Sequence, residues 1–360
     1  MDIKKLKVNL QSYGIALDDG ISVGRASGAG PAGSVTFLIN DTQINAPYSE
    51  NTGKESPYKI IKQNGKFSLM QDGRAICEIK FPPVPKFYKE KTGDDISYKK
   101  IALLHGKDCL ATTIVQRCEL WRKGNKCKFC AIELSLKNGA TIAEKKPEDL
   151  AEVVRKAEKE DGIEHLTLTS GTSQNFSHLT TFLARCVEKI REKSSIPIHL
   201  QVYPFGEYKK PFEILKDAGV DTLGIHIESF DEEIRNRYIP GKSCHSLKEI
   251  GEMLKCAVAI FGKNQVTSFI IIGLGETAES VIEGSRWLAQ MGVYPFIVPH
   301  HPIRGTETYH LGTPTPQYQE KIYVEVSKIL DEYGLSSTEV KAGCVKCAAC
   351  SAIKEFEIKK

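Results

Sequence analysis

The chain has 360 residues, 41% hydrophobic and 26% charged, and its 49 basic and 45 acidic residues leave a net charge of +4. That balance is ordinary for a globular protein and too mild and dispersed to mark a nucleic-acid partner. No apolar run of about 18 residues predicts a membrane-spanning helix, and Met1-Asp2-Ile3-Lys4-Lys5 has no secretory core behind it, so a cytoplasmic protein is expected.

Residues 1–95 read as a small β-rich domain. Strands are expected at 34–39 and 59–62, with Asn64-Gly65 as a hairpin turn. The segment Gly28–Gly33 lacks the Lys-Ser/Thr ending of a phosphate loop and reads as a glycine-rich turn. The proline-rich stretch 81–85 and the charged run to Asp95 read as a linker.

From residue 110 the rhythm becomes strand, helix, strand, helix. Strands are expected at 110–116, 165–169, 196–202, 221–227, 266–272 and 294–298. Pro147 opens a helix whose Leu150, Val153, Val154 and Ala157 share one stripe. Ser177 begins another, with Leu179, Phe182, Leu183, Cys186, Val187 and Ile190 inward. Further helices are expected at 211–218, 246–261, 277–291 and 315–333. Apolar, unalternating strands imply a parallel sheet covered on both faces. Six units fall short of eight, so the fold class is α/β: a partial (β/α)6 TIM-type barrel over 96–310. A Cys-rich C-terminal extension follows at 311–360, and the active site is expected at the C-terminal ends of the strands.

Eleven cysteines are many for a compartment where disulfides are rare. Two tight triplets, Cys118/Cys127/Cys130 and Cys344/Cys347/Cys350, read as metal or redox sites. The first emerges at the C-terminal end of the first barrel strand. Three thiolates leave a four-iron cluster one ligand short; a zinc loop borrowing a distant ligand is the alternative. Other strand ends carry Ser170-Gly171-Thr172, Glu228-Ser229 and Gly273-Leu274-Gly275-Glu276-Thr277, small or polar turns suited to a nucleotide-like cofactor. The second triplet has ferredoxin-like spacing without the fourth cysteine. It reads as a second cluster completed by Ser351 or Cys109, or else as a zinc knuckle or an inert tail. His165, His199 and His226 read as core histidines, and Trp121 and Trp287 as packing residues.

On these residues, 105–310 resembles a radical S-adenosylmethionine (SAM) enzyme of the biotin synthase and lipoyl synthase type. Cys127-Lys128-Phe129-Cys130 matches the second half of that family's cysteine motif. Eight residues, rather than three, separate Cys118 from Cys127. The resemblance implies a 4Fe–4S cluster on Cys118, Cys127 and Cys130 whose open iron chelates SAM. By the same resemblance Phe129 sits beside the cluster, Ser170, Gly171 and Thr172 receive the SAM amine, and Glu228 faces the cofactor. Gly273, Gly275 and Glu276 flank the adenosyl group, Arg235 and Arg237 are carboxylate partners, and Arg304, after His300-His301, contacts substrate or cofactor.

The span from His226 through Tyr238–Gly241 to Ser246-Leu247 resembles lipoyl synthases. These carry an auxiliary iron–sulfur cluster with a serine ligand and surrender its sulfide to the substrate. With Gly28-Ala29-Gly30-Pro31 and the Cys-rich tail, the whole resembles the second subunit of two-subunit, archaeal-type lipoyl synthases. The implied reaction is radical sulfur insertion into an octanoyl chain on a carrier protein or lipoyl domain. A companion radical SAM subunit and an electron donor such as ferredoxin or flavodoxin are implied as partners. The alternatives are another radical SAM reaction, with the tail cluster as electron relay or substrate anchor, and a non-catalytic metal-binding scaffold.

Overall fold

The structure is a computed structural model that describes residues 1–23 and 32–358. Most of the expected glycine-rich turn at 28–33 lies outside the described residues. Among those described, no helix is long and apolar enough to cross a membrane.

The chain opens on a helix that the sequence reading missed, α1 (Ile3–Tyr13), capped by the Asp2 carboxylate, which accepts from Lys4 N and Lys5 N. Its inner face buries Lys7, Gln11 and Ser12 beside Leu6, Val8 and Leu10, so the polar residues interrupt the apolar stripe that would have announced it. β1 (Ala16–Leu17) pairs with β4 (Tyr58–Gln63), which continues antiparallel into β5 (Lys66–Gln71) and β6 (Arg74–Ile79); β2 (Ser34–Ile39) and β3 (Thr42–Pro47) form a separate hairpin. Leu10, Val35, Phe37, Ile44, Ile60 and Leu69 make this unit's own core.

The stretch expected as a linker is not a free one. Lys86 N and Phe87 N both donate to the Asp161 carboxylate, and Phe87 is fully buried in the main core with Tyr98 and Ile101. An apolar ring and two backbone donors outweigh the charged composition that suggested exposure.

The main sheet has seven strands: β7 (Leu103–His105), β8 (Cys109–Thr113), β9 (His165–Thr169), β10 (Ile198–Gln201), β11 (Thr222–Gly224), β12 (Val266–Ile272) and β13 (Val293–Pro299), side by side in chain order. β8 to β13 are parallel, and β7, unforeseen, is an antiparallel edge strand on β8. With the helices α2 (Pro147–Asp161), α3 (Phe176–Arg191), α4 (Lys209–Asp217), α5 (Leu247–Phe261), α6 (Ala278–Gln290) and α7 (Pro316–Glu332), this is a partial TIM-type barrel. β11 is shorter than expected, because the chain leaves the ladder after Gly224 and rejoins β12 only at the Glu228–Ile270 bridge.

Register decides what faces the lumen. Cys109 is level with His165, Ala111 with Thr167, and Thr113 with Thr169 and Gln201; paired residues of a sheet share a face. The C-terminal tail folds back beneath this face. Gly343 N donates to His165 Nδ1 at 3.3 Å, and the Ala349 carbonyl accepts from Asn45 N at 2.9 Å and Gln11 Nε2 at 3.2 Å. Fully buried Lys7 donates to the Ala348 carbonyl at 2.8 Å and pairs with Glu355 at 3.0 Å. The first helix therefore clamps the last segment against the barrel.

Candidate active site

Cys118 leads into a short helix, Glu119–Arg122, closed by Asn125 N donating to the Leu120 carbonyl at 2.8 Å. The unusual eight-residue spacer is thus a compact turn. Neighbouring backbone holds it closely. A Cβ on Gly171 would lie 2.0 Å from the Arg117 carbonyl oxygen, and one on Gly241 would lie 2.4 Å from the Asn125 oxygen. Lys128 N donates to the Tyr238 carbonyl at 2.8 Å. Under the loop, Leu274 packs with Ile234, Tyr238 and Ile239 against Cys127 and Phe129.

The three thiols open onto a cavity of about 290 Å³ at the C-terminal ends of the strands. Phe129, Ser170, Gly171, Thr172 and Glu228 line it, together with Tyr203 and Lys242 and with Trp121 and His226, which were expected as packing and core residues. Burial pushes the Cys127 and Cys130 thiols up. A metal centre that takes thiolate charge relieves that penalty. Among the described residues, no three His, Cys, Asp or Glu side chains converge on one point as ligands of a single ion would; an iron–sulfur cluster carries its thiolates on separate irons.

Polar atoms facing this cavity lack protein partners. Glu228 Oε2, Tyr203 Oη and His226 Nε2 are each buried and unpaired. His226 Nδ1 accepts from Phe269 N at 3.2 Å, which places the ring proton on Nε2 and makes that atom a donor. Glu228 adopts a left-handed backbone, φ 65°, rare for a residue with a side chain. Its Oε1 accepts from Lys242 Nζ at 2.6 Å. Burial would lower Lys242, but the charge and hydrogen bond of Glu228 outweigh it and hold the lysine above its usual value. Buried groups normally find partners. A carboxylate oxygen, a phenol and an imidazole N–H left open beside three thiols fit a polar ligand with amine, carboxylate and hydroxyl groups.

Several expected contacts are not brought here. The Glu276 carboxylate accepts from Gly273 N at 2.7 Å and Leu274 N at 2.8 Å and from the Tyr318 hydroxyl. Gly273, Gly275 and Glu276 therefore form a self-satisfied turn that supports the loop from below. Arg237 is exposed over the Tyr238 ring, buried Arg235 donates to the His245 carbonyl at 2.7 Å, and Arg304 is exposed beside the lining residue Ile303. The cation at the thiols is Lys242, which the sequence reading missed; its only signal was a position just after Tyr238–Gly241. His300, bonded to the Gly312 carbonyl at 2.6 Å and Thr308 Oγ1 at 2.9 Å, lines the cavity bordered by the tail thiols, together with His301.

The second triplet lies at the other end of the same interior. A cavity of about 180 Å³ is walled by Ala111, Phe269, Phe296 and Val298 and bordered by Cys344, Cys350 and His105. Thr169 and Gln201 line both cavities, so the two adjoin inside the barrel, with one triplet bordering each. Of the proposed fourth ligands, Cys109 packs on Cys347. Ser351 does not fit the role. Its hydroxyl donates to the Ile297 carbonyl at 2.5 Å and accepts from Ile353 N at 3.2 Å.

Residues 124–288 match the family described as the Radical SAM superfamily. A stretch of 142 residues is 25% identical to bacteriochlorophyllide c C-7(1)-hydroxylase of Chlorobaculum limnaeum, covering 39% of this chain and 35% of that protein. The chain therefore matches only about a third of that relative's length. Among solved structures, the FeFe-hydrogenase maturase HydG of Carboxydothermus hydrogenoformans is 17% identical with a TM-score of 0.45, covering 63% of this chain and 52% of that one. Methylornithine synthase is 17% identical with a TM-score of 0.49, covering 69% of each chain.

Proposed function

We propose that the protein, whose residues 124–288 match the Radical SAM superfamily, forms a substrate radical in its lumen and inserts sulfur into an octanoyl chain there. The observation that carries this reading is the pair of adjoining cavities, one lined by Cys118, Cys127 and Cys130 and the other by Cys344 and Cys350, that share Thr169 and Gln201 as wall residues. The relatives named above are not lipoyl synthases; the sulfur-insertion reading rests on the tail thiols and on the sequence resemblance.

When bound, the upper cluster and SAM supply the one-electron chemistry that removes hydrogen from an unactivated carbon. Cys118, Cys127 and Cys130 hold that cluster. Glu228, Tyr203 and His226 offer SAM the open acceptor and donors, and Lys242 sets the charge beside Cys127. Ala111, Phe269, Phe296 and Val298 orient an alkyl chain and keep water away from it. Cys344, Cys347 and Cys350 hold an auxiliary iron–sulfur centre at the far end as the sulfur source. The octanoyl group arrives on a carrier protein or lipoyl domain, a companion radical SAM subunit completes the enzyme, and ferredoxin or flavodoxin delivers electrons. The reaction takes place in the cytoplasm.

Anaerobic incubation with an octanoyl-lysyl peptide, SAM and dithionite, with and without the companion subunit, tests the proposal. A thiolated peptide is expected. SAM cleavage with no thiolated peptide under either condition refutes sulfur insertion and leaves the tail centre as an electron relay or substrate anchor.

A further inference from the structure

The tail triplet has three thiols in its own segment, and the barrel wall adds a fourth. Cys109, the first residue of β8, is 1% exposed and packs with Cys347 and Ala349. Its partner across the ladder is His165, which also receives the tail through Gly343 N. Strand register and tail docking therefore bring Cys109 to the same end of the lumen as Cys344, Cys347 and Cys350.

The wall also carries polar groups aimed at sulfur. Thr167 Oγ1 is 3.3 Å from Cys109 Sγ, Gln201 Nε2 is 3.5 Å from Cys344 Sγ, and His105 Nε2 is 3.4 Å from Cys350 Sγ. A neutral thiol is a weak acceptor and gains little from such neighbours. A thiolate on iron gains much more, because hydrogen bonds to sulfur stabilise the cluster's negative charge. Even the close approach is provided for: a Cβ on Gly106 would stand 2.8 Å from Cys347 Sγ.

We infer that Cys109, Cys344, Cys347 and Cys350 form a four-thiolate site for an iron–sulfur centre, with Thr167, Gln201 and His105 donating to its sulfurs. This rests on the reading of the tail as an iron–sulfur site and is independent of the reaction product. The two ends of the lumen then differ in kind. The upper triplet leaves one iron open for a ligand, whereas the tail centre is saturated by protein and takes part through electron transfer or through loss of a ligand.

The test uses the full chain carrying Cys118→Ala, Cys127→Ala and Cys130→Ala, reconstituted anaerobically with iron and sulfide so that only the tail site loads. About four irons and four sulfides per chain are expected. Adding Cys109→Ala should lower the iron count at least about twofold or leave a three-iron centre, read by electron paramagnetic resonance. Ser351→Ala should leave count and spectrum as in the parent. Cys109→Ser, nearly the same size and still able to ligate, should keep the parent's melting temperature while changing the spectrum. His105→Phe should keep its iron with a more negative reduction potential. Full iron and an unaltered spectrum in both Cys109 variants overturn the proposal, as does iron loss in Ser351→Ala. Thiolation assays do not bear on these readouts, so either proposal can fail alone.

Discussion

Lys242 donates to Glu228 at 2.6 Å beneath the thiol loop, with the two side chains only 14% and 8% exposed. The ammonium also lies 4.5 Å from the centre of the Tyr203 ring. The second Glu228 oxygen has no protein partner. One oxygen is thus committed to fixing the lysine and the other is left for a ligand. The left-handed backbone at Glu228 is a strain that the surrounding packing must hold.

Glu228→Gln should leave Lys242 buried without its counter-charge. A loss of about 3–5 kcal/mol of unfolding free energy is expected, since breaking one side of a buried pair strands the other charge. SAM affinity should fall at least about tenfold, with iron content unchanged. The double variant Glu228→Gln/Lys242→Met should recover part of the stability but none of the affinity. Chemical denaturation and anaerobic calorimetry measure the two effects. Unchanged SAM affinity in Glu228→Gln would remove Glu228 from the binding site.

Gly171→Ala introduces a Cβ 2.0 Å from the Arg117 carbonyl oxygen and 3.0 Å from Cys118 Cα. Backbone cannot swing aside as a side chain can, so the thiol loop must shift. The expected outcome is loss of the upper cluster alone, with iron falling from about eight to about four per chain, and a destabilisation of about 1–3 kcal/mol. Iron and sulfide analysis decides it; full loading would show that the loop tolerates the shift.

Lys145 supplies a pH signature. It is 1% exposed, donates to Thr141 Oγ1 at 2.6 Å and the Ile142 carbonyl at 3.0 Å, and lies 3.4 Å from Gln116 Oε1. Burial lowers its pKa to about 7. Between pH 7 and about 10 the unfolded chain holds this proton and the folded chain does not, so stability should rise with pH by up to about 1.4 kcal/mol per unit. Below pH 7 both states are charged and the contribution is flat. Lys145→Met should abolish this component, seen as the difference between wild-type and variant unfolding free energies at pH 7 and pH 9. Parallel profiles would contradict the assignment.

Ala111 lies on the lumen wall between the two triplets. Ala111→Phe should fill much of the roughly 180 Å³ interior. Under the proposed sulfur insertion, product formation should fall at least about a hundredfold while SAM affinity and iron content stay those of the parent. Steady-state thiolation, compared with SAM binding, separates the two. A normal rate would move the substrate out of this lumen.

The legible parts of the chain are those governed by local rules. Strands β9 and β12 coincide with the expected 165–169 and 266–272, because runs of β-branched and aliphatic residues between turns have few other uses. The first thiol loop was legible because a metal centre needs its ligands near one another. By contrast, α1 was hidden by buried Lys7, Gln11 and Ser12, whose burial depends on partners such as Ala348, 341 residues away. Glu228 was legible as a polar strand end. Lys242, Tyr203 and the donor role of His226 were not, since orientation toward a cavity is a property of packing.

The amino-acid sequence by itself determined that this chain alternates strand and helix around a parallel sheet and carries two thiol triplets. Periodicity and ligand chemistry are local and survive without coordinates. Only the tertiary structure decided that the triplets border adjoining cavities of one barrel, that Lys242 rather than Arg237 attends the upper thiols, and that Cys109 meets Cys347. Those relations follow from strand register and from the clamping of the tail by the first helix, and neither is written in any short stretch of the chain.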